Sequence, residues 1–378
     1  MLEAKKSIVS STDYTVLAAP AIPRDVNYHR TMKSFRHDKK RTAGSTGLLG
    51  AALPLAVAAL ASCAGSVRPE AEETPRAEPR PDGPERRAVA YLSEEVSRWH
   101  RENACYSCHN NADAARALMT AESRSFAVED GALAGTLAFI ATPALWDANS
   151  KGDPAASDLD LARVQFAAAL VTASELGYVR DPEAISRAAR LVAEVQSPGG
   201  AWNLGPPDLV GSPATYGRFL GTHMALRVLR HADADDLRGR VERAEAWMRE
   251  NRARNLLDAA ALLMELGRAA DARAVAQRES CLDLIRRGQA ASGGWGPYAS
   301  APPEVFDTAV ILIALARLEA TPELTERIAR GRAFLLSAQE PGGGWPETTR
   351  PSGSESYAQH ISTTAWAALA LLATGGRG

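Results

Sequence analysis

Lysine is almost missing from most of this 378-residue chain. Beyond residue 62 only Lys151 remains, and 34 basic side chains there face 41 acidic ones. A mildly acidic, arginine-based domain carries no electrostatic footprint for a nucleic acid, so no nucleic-acid partner is expected. Schiff-base chemistry on a lysine has hardly a candidate. Long hydrophobic runs are missing too: the run from Leu48 to Leu60 has 13 residues, whereas a membrane-spanning helix needs roughly 20. Cysteine is limited to Cys63, Cys105, Cys108 and Cys281. With no second Cys-x-x-Cys and no His-x-x-x-His, the ligand set of a structural zinc site is incomplete.

Against this background Cys105-Tyr106-Ser107-Cys108-His109 stands out. C-x-x-C-H is the spacing of c-type haem attachment, in which each thiol joins one vinyl group and the adjacent imidazole lies under the iron. The expectation is one covalent haem c on Cys105 and Cys108 with His109 as axial ligand. A plain disulfide between the two thiols stays open. Candidates for the far side of the iron are His360, with His100, Met119 and His223 as alternatives.

Haem of this type is assembled outside the cytoplasm, so export is expected. Lys33, Arg36, Lys39, Lys40 and Arg41 precede the 13-residue apolar run, the layout of a secretory signal. The run ends in Leu60-Ala61-Ser62-Cys63, which resembles the lipobox of bacterial lipoproteins. The resemblance implies lipid on Cys63 and an exported protein anchored to a membrane, facing the periplasm or the exterior. Met32 is well placed as a start, which makes residues 1–31 an over-called leader and 32–62 the signal. Residues 63–87 read as a disordered tether: five prolines lie between Ala64 and Arg87 among Glu, Arg and Ala, and such a segment cannot bury a core.

Downstream the chain repeats. Gln196–Trp202, Gln289–Trp295 and Gln339–Trp345 all read Q-x-x-x-G-x-W, each after one helical pattern and before a more apolar one. Degenerate units fit around Trp146 and Trp247, and the C-x-x-C-H segment takes the turn of a first unit. About six helical hairpins of 45–50 residues follow, a period typical of helical repeats. These repeats resemble the squalene–hopene cyclase and prenyltransferase superfamily over roughly residues 88–375. The resemblance implies an all-α fold, an α/α toroid with inner and outer rings of helices and a cavity near the inner N-termini. It also implies that the motif Gln and Trp residues tie helix ends together.

Cyclases of that type donate a proton from the central acid of D-x-D-D-T-A. The matching stretch is Glu304-Val305-Phe306-Asp307-Thr308-Ala309, with phenylalanine where that acid stands. Asp233-Ala234-Asp235-Asp236 spells D-x-D-D but opens a polar outer helix, where acids serve as caps. The primary expectation is therefore an exported, membrane-anchored c-type haem protein on a cyclase-like toroid. It would carry out electron transfer or haem-assisted redox chemistry with a redox partner protein, and an apolar small molecule would use the cavity. Two alternatives stand beside it. One is a non-catalytic binding toroid for a peptide, lipid or partner. The other is a divergent cyclase or lyase using Glu304 and Asp307, one helical turn apart, as an acid–base pair.

Overall fold

The computed structural model describes residues 83–149, 159–205, 209–267, 269–348, 350 and 356–375. Cys63, the export signal and nearly all of the expected tether lie outside them. Among the described residues there are twelve α-helices and no strand, and no helix is long and apolar enough to cross a membrane. They form six hairpins: α1 (Pro84–Asn103) with α2 (Ala115–Glu122), α3 (Ala134–Ile140) with α4 (Leu159–Glu175), α5 (Pro182–Glu194) with α6 (Gly217–Ala232), α7 (Arg238–Glu250) with α8 (Leu256–Leu266), α9 (Ala272–Gly288) with α10 (Val305–Leu315), and α11 (Pro322–Ala338) with α12 (Tyr357–Thr374). Helix α1 begins at Pro84, three residues before the expected end of the tether at Arg87.

Even-numbered helices pack in sequence, α2 on α4, α4 on α6, and so on to α12, which returns to α2. The ring is closed, and the fold is an α/α toroid. Composition explains which helix goes inside. In α10 every residue from Val305 to Leu312 is buried, as expected of a helix apolar on all sides. In α11 only Gly331 and Leu335 are buried, and in α7 only Ala244 and Met248. Cys281 of α9 is buried, and burial pushes its thiol up to about 12, so it packs as a small apolar group. Helix starts follow local capping chemistry. Asp181, Asn255, Asp271, Thr321 and Ser356 each accept from a backbone N–H of the first turn, and Pro182 and Pro322 stand just inside their helices.

The three Q-x-x-x-G-x-W turns share one geometry. Gln196, Gln289 and Gln339 each donate to the carbonyl of their own motif glycine (Gly200, Gly293, Gly343), at 2.9 Å in all three. The same amide nitrogen reaches the next outer helix: Arg240 at 2.9 Å, Arg327 at 3.0 Å and Pro84 at 2.9 Å. Each indole N–H bonds back to the preceding helix, at Val192, Ile285 and Leu335. Each Trp backbone N–H donates to a threonine of the following inner helix: Thr222, Thr308 and Thr364. The third staple is the one that joins the last hairpin to the first. At the degenerate turn after α7, Gln277 of α9 supplies the bond instead, donating to the carbonyls of Met248 and Asn251.

Candidate functional site

Residues His109–Ala114 form a π-helical turn that feeds α2, the kind of local widening often found where side chains are re-aimed for function. It carries Asp113 into the centre of the ring. There the carboxylate, fully buried, accepts from donors on three inner helices and from the residue that caps a fourth: Arg116 at 3.2 Å, Gln165 at 3.1 Å, Trp366 at 3.3 Å, and the hydroxyls of Ser362 and of Tyr216, just before α6. Tyr216 sits at φ 55°, a sparsely populated conformation for a bulky residue. Burial first, and then the charge of Asp113, raises its phenol pKa. Asp113 was not among the residues expected from the sequence. Its only signal was an unusual density of polar side chains, Asn110, Asn111, Asp113 and Arg116, where an inner helix should start.

The neighbouring turn carries the C-x-x-C-H segment. The His109 ring is directed into the core, its Nδ1 3.2 Å from Ser362 Oγ on α12, and burial lowers its pKa while Asp113 pulls the other way. His360 lies in the first turn of α12 and does not face His109. Its Nδ1 meets Glu347 at 3.2 Å, its Nε2 meets Glu340 at 3.6 Å, and its ring packs edge-on against Tyr91. The other distal candidates are also engaged elsewhere. Met119 is fully buried in the core, His223 bonds Glu265 at 3.2 Å, and His100 stacks on Tyr106 at 4.3 Å. Cys105 and Cys108 are both half-buried. Among the described residues no three His, Cys, Asp or Glu side chains converge as a metal site.

The second expected site does assemble. Glu304 is the residue before α10, and Asp307 lies in the first turn of that helix. Arg350 joins them: its guanidinium is 2.9 Å from Glu304 and approaches both oxygens of Asp307, at 2.9 and 3.0 Å. It also donates to the Gly211 carbonyl at 3.1 Å, so one side chain ties α10 to the segment before α6. Asp307 is fully buried, and burial pushes its carboxyl up to about 7 against the opposing pull of Arg350. Phe306 is also fully buried and packs edge-on against Trp366 at 5.8 Å. The Asp233–Asp236 cluster lies on the surface instead. Asp235 pairs with Arg238 and Asp236 with Arg190, and no side-chain cap bond is made at the turn they open.

Residues 256–378 match the family described as Squalene-hopene cyclase C-terminal domain. Lanosterol synthase erg7A of Aspergillus fumigatus is 34% identical over 102 residues, 26% of this chain and 13% of that protein. The chain thus spans a small part of the curated relative it matches. Among solved structures, the type II terpene cyclase MstE from Scytonema is similar at 17% identity and TM-score 0.45, covering 76% of this chain and 96% of that one. A variant of the same enzyme in complex with geranylgeranyl dihydroxybenzoate gives 15% identity, TM-score 0.47, and coverage of 77% and 98%. The cytochrome-like, electron-transfer expectation is set aside by the family match. The C-terminal third of this chain is similar to the squalene–hopene cyclase C-terminal domain, and the described helices close as a cyclase-like toroid.

Proposed function

We propose that the chain is a divergent cyclase-like enzyme, or lyase, working by acid–base chemistry at Glu304 and Asp307. One observation carries the reading. A buried carboxyl raised to about 7 stands at the head of an inner helix and is bridged by Arg350 to a second carboxylate. A group titrating near neutral pH can both give and take a proton at working pH. It is too weak an acid for a simple alkene, and Phe306 fills the position from which squalene–hopene-type cyclases protonate one. It suits a heteroatom. Asp307 would protonate a hydroxyl or carbonyl oxygen of an apolar substrate. The carbon–oxygen bond then breaks with loss of water, or a ring closes on the activated carbon, and Glu304 accepts the departing proton. Access requires the Arg350 guanidinium to move off Asp307, both of whose oxygens it approaches.

The binding-toroid alternative has its own support. Arg116 lies over the Trp366 ring at 5.1 Å, so the central aromatic face that would steady a developing cation already holds one. The two readings part in one experiment. Purified chain is incubated with squalene, geranylgeraniol and farnesal, and products are resolved by gas chromatography–mass spectrometry. Conversion that is lost in Asp307→Asn and reduced in Glu304→Gln supports the enzyme. Conversion unchanged in Asp307→Asn removes these residues from the chemistry, and no conversion by wild type leaves the binding toroid.

A further inference from the structure

Thr348 and Gln359 are polar side chains only 1% and 2% exposed, and neither takes part in the staples or in the Asp113 hub. Burying such groups is costly unless they are hydrogen-bonded. The Thr348 hydroxyl lies 2.9 Å from Gln359 Oε1 and 3.1 Å from the Arg350 carbonyl oxygen. Gln359 Nε2 donates to that same carbonyl at 3.3 Å. These bonds therefore meet on the backbone of the arginine that bridges Glu304 and Asp307.

Local architecture brings them there. Gln359 lies in the first turn of α12, whose start is capped by Ser356. Residues 345–348 run antiparallel along the first two turns of that helix. Trp345 donates to Thr364, Glu347 meets His360 at 3.2 Å, and Thr348 meets Gln359. Helix α12 also packs on α10, which carries Asp307. The Arg350 backbone is thus fixed to one inner helix, while its side chain reaches the neighbouring one and the Gly211 carbonyl before α6. An arginine side chain has many rotamers to choose from, so a defined place for its charge needs a fixed backbone to start from. With that backbone held, the guanidinium can leave Asp307 and return to the same position.

We infer that Thr348 and Gln359 are positioning residues for the acid–base pair: they hold the Arg350 backbone against α12 and so set its guanidinium on Glu304 and Asp307. Their catalytic use rests on the acid–base reading proposed above, whereas the positioning itself belongs to the folded chain. Arg350 and Glu304 are the charged groups that act on Asp307. The helices packed on α10 turn theirs elsewhere: Asp258 of α8 to the Arg254 N–H, His360 of α12 to Glu347, and Arg327 of α11 to Glu323. Arg350 draws the Asp307 carboxyl down, while burial pushes it up. Loosening Arg350 leaves burial less opposed, so Asp307 should then hold its proton to higher pH.

Urea unfolding of the full chain from pH 4 to 9, with and without Asp307→Asn, isolates the titration of Asp307 as the difference in stability between the two. That difference levels off once pH passes the folded-state titration of Asp307. The levelling pH should rise by about one unit in Thr348→Val and in Gln359→Met, the least that an opposite charge at this range exerts. It should return to the wild-type value in Thr348→Ser, which restores the hydroxyl. Arg350→Gln, which removes the charge, should raise it at least as far. A levelling pH unchanged in either folded variant, or unchanged in Arg350→Gln, overturns the inference. If Thr348→Val does not fold, Gln359→Met decides. If neither folds, the pair serves the fold and not the site, and the inference falls. Turnover is read separately with the three isoprenoids named above. Conversion by wild type, with kcat reduced and KM kept in Thr348→Val, supports the catalytic use. No conversion by wild type removes the acid–base reading, while the shift in levelling pH still decides the positioning.

Discussion

Replacing Gly343 by alanine should open the ring at its seam. Gly343 has φ 94°, and a Cβ built there lies 2.4 Å from the carbonyl oxygen of Arg87 in α1. The left-handed conformation costs an L-residue about 1–2 kcal/mol. Forcing a methyl group against backbone that cannot rotate away adds about 1–3 kcal/mol. The sum, about 2–5 kcal/mol, is a large share of the roughly 5–15 kcal/mol that holds a folded protein together. A neighbouring glycine supplies the control: Gly342 has no heavy atom within 4 Å of its built Cβ and no positive φ, so Gly342→Ala should be neutral or stabilising by about 0.4–1 kcal/mol. Urea unfolding followed by circular dichroism gives both values. Amide hydrogen exchange then distinguishes ring opening from general weakening. In Gly343→Ala the amides of α1 should exchange faster. In Gly293→Ala, where the built Cβ lies 2.3 Å from the Arg330 carbonyl, the effect should centre on α11. If Gly343→Ala unfolds at the same urea concentration as Gly342→Ala, the seam does not bear the stability assigned to it.

Removing the hub should be costlier still. Asp113→Ala leaves Arg116 and four further donors without their shared acceptor, a loss of about 3–5 kcal/mol measured by the same unfolding curves. Asp307 makes stability depend on pH. Because its folded pKa is raised from 3.8 to about 7, its contribution is present in full below pH 3.8 and is lost as pH rises toward 7. Glu95, raised to about 7, and Asp258, raised to about 6, act in the same direction. Asp307→Asn should therefore flatten, without abolishing, the fall in stability between pH 4 and 7, and identical slopes in variant and wild type would contradict the assignment. We further propose that Cys63 is lipidated: Cys63→Ser should move the protein from the membrane fraction to the soluble or unprocessed one, and equal retention would count against it.

The toroid was legible because its instructions are local and repeated. Q-x-x-x-G-x-W specifies one staple each time: the glutamine bridges two outer helices, the glycine permits their close approach, and the tryptophan pins the inner helix through Thr222, Thr308 or Thr364. Ala- and Leu-rich segments then mark the inner ring, since a helix without a polar face can only be buried. Glu304 and Asp307 were legible as a pair for the same reason, their spacing being one helical turn. Their partner was not. Arg350 lies 43 residues from Asp307, and nothing in its neighbourhood marks it off from the other arginines of the chain.

The surroundings of the C-x-x-C-H segment show how far a local reading reaches. Five residues can state a spacing, but not which way an imidazole points. That direction depends on the π turn at His109–Ala114, which rotates His109 toward Ser362 and Asp113 toward the ring centre. Ser362 is 253 residues away from His109. The donors that meet Asp113 come from helices that are neighbours only because the ring closes, so no window of sequence holds them together. The closing staple at Gln339 and Gly343 matters for the same reason: by holding the sixth hairpin on the first it brings Ser362 and Trp366 of α12 to the Asp113 carboxylate.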